Sequence, residues 1–157
     1  MRAAYADPPY VGQARKHYKC EEIDHAALIQ QQLKTYDAWA LSCSSPSLAQ
    51  LLPLCPNGTR VMAWVKPFAI FKPGVGVAYA WEPILVYGGR KRTRQQRTIR
   101  DWVSCNITLK RGLVGAKPQG FCDWLFTVLN LYPDDEFHDL FPGTDAVTIA
   151  WQAWRKR

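Results

Sequence analysis

The sequence predicts a single α/β domain over residues 1–157, built on a largely parallel sheet. Two observations carry this. Strand-like and helix-like apolar patterns alternate along the chain, which is the signature of strands joined through helices. Hydrophobic residues make up 48% of the chain and include seven Trp and seven Tyr, enough for a packed core and too many for a disordered chain. A chain of 157 residues holds one core, with no room for a separate target-recognition domain.

The elements follow in order. "RAAYA" is a short strand that ends at Asp7. "IDHAALIQQQLKTY", residues 23–36, places Ile23, Ala26, Ala27, Leu33 and Tyr36 at helical spacing without a breaker. "DAWALSCS" reads as a buried strand, and "SPSLAQLLPLC" as a short helix opened by Ser-Pro and closed by Pro53 and Pro56. "TRVMAWVKP" and "AYAWEPILVYGG" are strands separated by the Pro- and Gly-punctuated "FAIFKPGVGV". "DWVSCNIT" is a further strand, "PQGFCDWLFTVLNLY" a helix with a broad apolar face, and "DEFHDLF" a short strand. The last element, "TDAVTIAWQAWRKR", is a helix for which Thr144 is the candidate cap.

The formal charge of +7 makes a polyanion a plausible partner. Five cysteines form no CxxC pair and lie mostly in apolar runs, which points to reduced thiols in a cytoplasmic protein. The three histidines show no metal-ligand spacing, so no metal is expected. No apolar run is long enough to span a bilayer, and "MRAAYADPP" lacks the apolar stretch of a leader, so no membrane partner is expected.

The most specific stretch is Asp7-Pro8-Pro9-Tyr10. Two consecutive prolines lock φ and remove two backbone donors, which stiffens a turn. The tetrapeptide also follows a short strand, and the carboxyl ends of parallel strands are where open α/β sheets bind ligands. Further along, "GAKPQGFCDWLFTVLNLYPDDEFHDLFPGTDAV" (115–147) combines Lys117-Pro118, a helix, a strand and a glycine-containing loop.

These motifs resemble those of SAM-dependent methyltransferases acting on the N6 amino group of adenine. "MAWVKP" and "WEPILVYGGRKR" resemble the two strands between the halves in the same families. The tetrapeptide precedes the glycine loop, an order similar to that of the beta class of DNA adenine methyltransferases and the METTL-type messenger-RNA adenine methyltransferase family. The resemblance covers nearly the whole chain; only the tetrapeptide and the Lys-Pro…Asp-Leu-Phe-x-Gly block are specific. It implies a Rossmann-like class I methyltransferase fold, circularly permuted and minimal, with a reduced sheet.

What the resemblance implies about residues is intelligible chemically. Asp7, Pro8, Pro9 and Tyr10 are the candidate catalytic residues. The Asp7 carboxylate and the Pro8 carbonyl accept hydrogen bonds from the N6 amino group, and Tyr10 stacks on an extruded base. Asp7, Lys117, Pro118, Asp139, Phe141, Gly143 and Thr144 are the candidate cofactor-binding residues for S-adenosyl-L-methionine. Gly143 would admit backbone amides close to the methionine end of SAM at a helix N-terminus.

The chain departs from the pattern in three ways. Asp145 stands where a second glycine is usual, and would crowd the cofactor carboxylate or cap the helix. No strand follows with an acidic residue for the ribose, which leaves Asp101, Glu82 or a partner for that role, or else a weakly bound SAM. Base specificity would have to come from loops, so low sequence specificity is expected.

The run "GGRKRTRQQRTIR" (88–100) holds six basic and no acidic residues. It is a solvated loop or a phosphate contact through Arg90, Lys91, Arg92, Arg94, Arg97 and Arg100. Arg15 and Lys16, after the tetrapeptide, are phosphate candidates on a loop that would close over the target base. Trp39, Trp64, Trp124 and Trp151 are expected in the core; Trp81 and Trp102 are placed there too, with base stacking as the other reading. Lys66 and Glu82, polar positions in apolar strands, read equally as a cross-sheet pair or as catalytic groups.

The expected function is SAM-dependent methylation of adenine N6 in nucleic acid, with DNA favoured over RNA by likeness to phage or bacterial modification enzymes. The alternative is a degenerate, non-catalytic nucleic-acid-binding subunit that needs a partner. A homo- or heterodimer is compatible with either.

Overall fold

The computed structural model describes residues 1–14, 21–68, 74–108 and 116–157. In chain order the elements are β1 (Arg2–Ala6), α1 (His25–Thr35), β2 (Ala38–Ser42), α2 (Leu48–Leu51), β3 (Arg60–Val65), β4 (Trp81–Gly88), β5 (Trp102–Ser104), α3 (Gln119–Leu129), β6 (Glu136–Asp139) and α4 (Ala146–Trp154). The strands form one sheet in the order β5-β3-β4-β2-β1-β6. No described helix is long and apolar enough to cross a membrane.

The alternation of strand side chains sorts the core into two layers. Ala3, Tyr5, Ala38, Ala40, Met62, Trp64, Ile84 and Val86 face α3 and α4 on one side. Ala4, Ala6, Trp39, Leu41 and Leu85 face Leu28 and Ile29 of α1 and Leu51 of α2 on the other. Trp39, Trp64, Trp124 and Trp151 are all buried. Trp81 and Trp102, expected in the core, are instead about two-fifths exposed, at 40% and 42%. Each begins its strand, and Trp102 begins the edge strand β5, so neither is enclosed on all sides.

Five of the six strands run in the same direction, as expected of a largely parallel sheet, and β4 alone is reversed. β1 runs parallel to β2 and β6, and β3 parallel to β5. β4 lies antiparallel to both β2 and β3. The residues of β4 alternate as they would in either direction, so strand polarity is set by pairing and not by local pattern. At its end Gly88 takes φ +72°, and a Cβ there would meet the Asp37 carbonyl at 2.2 Å. Only glycine fits.

Helix ends show local chemistry. Asp24 caps α1 by accepting from the Ala27 amide at 2.9 Å. α3 stops at Leu129, short of the expected Tyr132, because Asn130 adopts the left-handed conformation (φ 55°) that ends helices. Thr144 does not cap α4. Asp145 occupies that position with φ 57°, and its side chain makes no capping bond.

The carbonyls at the end of α3 are satisfied by arginines. Arg90 donates to the Asn130 carbonyl at 2.7 Å and grips both oxygens of Asp135, at 2.8 and 2.9 Å, while lying over the Tyr132 ring. Arg92 donates to the Thr127 carbonyl. Cations suit a helix C-terminus, where the backbone dipole is negative. The hydrogen bonds from Arg90 hold the Asp135 carboxyl well below the usual carboxylate range. A group depressed in this way stabilises the fold above its unfolded pKa, near 4, and loses that contribution as pH falls. Asp135→Asn is therefore expected to cost about 2–3 kcal/mol in urea unfolding near neutral pH. The difference from wild type should shrink when the same measurement is made near pH 2.

Candidate active site

β1 and β6 are parallel neighbours, yet the helices that follow them pack on opposite faces of the sheet. α1, after β1, lies with Ala4 and Ala6, whereas α4, after β6, lies with Ala3 and Tyr5. This divergence opens a crevice at the carboxyl ends of the two strands, the place where α/β sheets bind ligands. Tyr5 and Asp139 are in register there, and the Leu140 amide donates to the Tyr5 carbonyl at 2.8 Å.

A cavity of about 90 Å³ occupies the crevice, lined by Tyr5, Asp7, Lys117, Asp139 and the turn from Phe141 to Thr144, with Ala146 and Val147 behind. Asp7, Lys117, Asp139, Phe141, Gly143 and Thr144 are thus brought together from three separate stretches of chain. Pro118 stands just outside, at the start of α3, where its carbonyl accepts from the Phe121 and Cys122 amides. Pro8, Pro9 and Tyr10 continue from Asp7 without lining the cavity; Pro8 is buried and Tyr10 half-buried. The Gln13 amide returns to the Tyr10 carbonyl at 2.8 Å, closing a turn after the tetrapeptide. Burial pushes the Tyr10 hydroxyl well above its ordinary pKa, so the ring remains neutral.

Asp7 ends a chain of alternating charges. Its carboxylate is 3.1 Å from the Lys117 ammonium, which reaches Glu82 at 2.6 Å; the second oxygen of Glu82 takes Lys66 at 2.8 Å. Glu82 and Lys117 are almost fully buried. Lys117 also lies over the Trp64 ring at 5.2 Å. Glu82 belongs to the beginning of β4, which reaches the carboxyl ends of β1 and β2 because β4 runs against them. Sequence reasoning left Lys66–Glu82 open as a pair; it missed that Glu82 joins both lysines and that the series ends on Asp7.

Burial pushes the Glu82 carboxyl up, but the Lys117 and Lys66 charges together outweigh it and hold the pKa at about 2. For Lys117, burial lowers the pKa and the carboxylates of Asp7 and Glu82 raise it further, so it remains an ammonium. Asp7 has a single close cation, so burial prevails and its pKa is raised. Asp139 is raised by burial as well. One of its oxygens accepts from Thr148 at 3.3 Å; the other, Oδ1, is buried without a partner.

Other expectations fall elsewhere. Asp145 is exposed and does not line the cavity, so it neither crowds it nor caps α4 with its side chain. Glu82 is committed to the two lysines, and Asp101 meets Arg60 at 3.5 Å in a different groove, so neither adjoins the cavity to serve a ribose. The run from Arg90 to Arg100 follows Gly88, which pairs with Ala38 at the start of β2. It lies at the end of the sheet opposite Asp7, and Arg90 and Arg92 are engaged with α3 and its cap. Arg15 and Lys16 lie outside the described residues. No group of three or more His, Cys, Asp or Glu able to hold a metal occurs among the described residues.

No protein-family model matches this chain, and no curated protein sequence does. Solved structures do match. The crystal structure of the M1.HpyAVI–SAM complex superposes with a TM-score of 0.68 at 17% identity, covering 100% of this chain and 80% of that one. A crystal structure of M1.HpyAVI gives 0.64 at 13% identity, over 99% and 76%. The fold is that of a Rossmann-like methyltransferase.

Glu82 is the residue on which this charged site is balanced. Glu82→Gln leaves the buried Lys117 and the half-buried Lys66 facing one carboxylate, and is expected to destabilise the fold by about 3 kcal/mol at neutral pH. Because the Glu82 pKa is depressed from 4.5 to about 2, its contribution is present above pH 4.5 and fades towards pH 2. Urea midpoints of the two proteins, measured across that window, should converge as pH falls.

Proposed function

We propose that this chain is a SAM-dependent methyltransferase acting on the N6 amino group of adenine in nucleic acid, with DNA favoured over RNA. The observation that carries the reading is the convergence of Asp7 with Lys117, Asp139 and Gly143 on one crevice. The cavity suits the amino-acid end of SAM. Asp139 Oδ1 is a buried acceptor without a donor, fitting the α-ammonium, and Lys117 with the start of α4 offers positive potential to the carboxylate. At about 90 Å³ it is smaller than the several hundred Å³ of sites that enclose a whole ligand of that size. When bound, SAM supplies an electrophilic methyl group.

The chain's own residues would do the rest by position. The Asp7 carboxylate would accept one N–H of the amino group and the Pro8 carbonyl the other, turning the nitrogen lone pair out of the ring system. The Tyr10 ring would stack on the extruded base. As nitrogen gains a carbon it must release a proton. Asp7, made more basic by burial, is the nearest acceptor in the tetrapeptide. Lys117 keeps its carboxylate oriented. The order of tetrapeptide before glycine loop would make the domain circularly permuted.

The small cavity, with Glu82 engaged by lysines and Asp101 in another groove, favours a second reading, a non-catalytic nucleic-acid-binding subunit of a larger assembly. Isothermal titration with SAM and transfer of labelled methyl to DNA and RNA, followed by nucleoside analysis, separate the two. N6-methyladenine is the expected product; absence of both binding and incorporation would leave the second reading. Asp7→Ala is expected to cut transfer by a factor of about 10²–10³ or more while SAM affinity changes little. Undiminished transfer by that variant would rule out the role given to Asp7. The rate should also fall on the acid side with an apparent pKa above the ordinary aspartate value, because only the ionised carboxylate accepts both bond and proton.

A further inference from the structure

At the opposite end of the sheet lies a larger groove, about 330 Å³, lined by Arg60 and Met62 of β3, residues from Arg92 to Asp101, and Val128. Arg60 opens β3 and Lys66 follows its end, so the groove and the candidate active site are separated by the length of a strand, about 20 Å. Four arginines line it: Arg60, Arg92, Arg94 and Arg100. The single carboxylate in its wall, Asp101, makes only an exposed contact with Arg60 at 3.5 Å. Among the described residues Arg92, Arg94, Arg97 and Arg100 have no acidic partner within ion-pair distance.

The loop holding this charge is built. Arg90 fixes its beginning to Asp135, and Asn130 of the α3 cap donates to the Arg90 and Lys91 carbonyls. The Gln96 amide donates to Asn130, and its carbonyl oxygen accepts from the Thr93 backbone. Arg92 is tied to Thr127, and the Trp124 indole donates to the Arg100 carbonyl at 3.0 Å. Anchoring at both ends leaves the exposed Arg94, Arg97 and Arg100 as projecting side chains on a fixed support.

We propose that this groove is a second nucleic-acid contact, binding the phosphodiester backbone at a point remote from the base presented to Asp7. The proposal rests on the nucleic-acid reading above and adds where the polymer is held. Guanidinium forks match phosphate oxygens in pairs, and the interleaved Thr93, Gln96 and Thr98 add neutral donors of the kind that position backbones. A concave basic wall concentrates field in a way that a flat face does not. With a rise of about 3.4 Å per nucleotide along the axis of a duplex, a separation of about 20 Å corresponds to about six nucleotides. A substrate must exceed that length to engage both ends of the sheet.

The test is fluorescence anisotropy with a labelled duplex of about 30 base pairs, titrated from about 50 to 300 mM salt. For Arg60→Gln/Arg94→Gln/Arg100→Gln we expect affinity to fall about tenfold or more, and the slope of log K against log salt to shrink by about 2–3. SAM affinity should remain at the wild-type value, which also reports an intact fold; Arg94→Gln alone should shift the slope by about 1. Unchanged affinity and slope in both variants overturn the proposal. So does equal wild-type affinity for polyglutamate of the same charge, which would make the groove a site for acidic protein. Wild-type protein that binds duplex through these arginines yet transfers no methyl group keeps the groove and refutes the methyl-transfer reading. Methyl transfer with wild-type duplex binding in the triple variant does the reverse.

Discussion

The structure depends most on the buried series Lys66–Glu82–Lys117–Asp7. It joins the end of β3, the beginning of β4, the approach to α3 and the end of β1. Charges this far from water persist only when each has an opposite neighbour. Two ammonium groups face two carboxylates, so the cluster is neutral overall and its alternation places one carboxylate, Asp7, at the open end. Glu82 is saturated and strongly acidic; Asp7, with one lysine, retains both exposure and basicity. The same physics that stabilises the cluster differentiates its two carboxylates.

Sheet polarity then distributes function. Because β4 runs against β2 and β3, its first residues supply Glu82 to the crevice and its last residues lead into the arginine loop at the far end. Fewer than a dozen residues separate Glu82 from Arg92 in sequence, but they traverse the sheet. The molecule therefore carries its small crevice, with Asp7 and Asp139 in its wall, and its arginine-lined groove at opposite ends. Had β4 been parallel, the arginines would have surrounded Asp7.

This is also why the sequence was informative about elements and less so about their arrangement. All six strands were legible, since alternation and flanking Pro or Gly are local properties. The crevice residues were legible through motifs, because Asp7-Pro8-Pro9-Tyr10 and the turn around Gly143 owe their geometry to their own composition. The reversal of β4 within an otherwise parallel sheet was not, because a strand's pattern reads the same in both directions. Tertiary context explains other differences: Trp81 and Trp102 were assigned to a core they only border, and Arg90, a phosphate candidate by sequence, is engaged by Asp135. Thr144 was a reasonable cap by residue type. The turn at Gly143 instead brings Asp145 to the cap position in a left-handed conformation.

The location of the cavity has a topological cause that precedes any choice of side chain. Two parallel strands whose following helices leave to opposite faces cannot be covered at their shared carboxyl end, and β1 and β6 are such a pair. The gap exists for any sequence that folds this way. The residues decide what the gap can hold. An apolar set would close it; here it has an unpartnered oxygen of Asp139 on one wall and the Lys117–Asp7 pair on the other. A buried acceptor left without a donor costs stability, by about 1–3 kcal/mol, and any molecule entering the crevice with an N–H or O–H to offer would recover that cost.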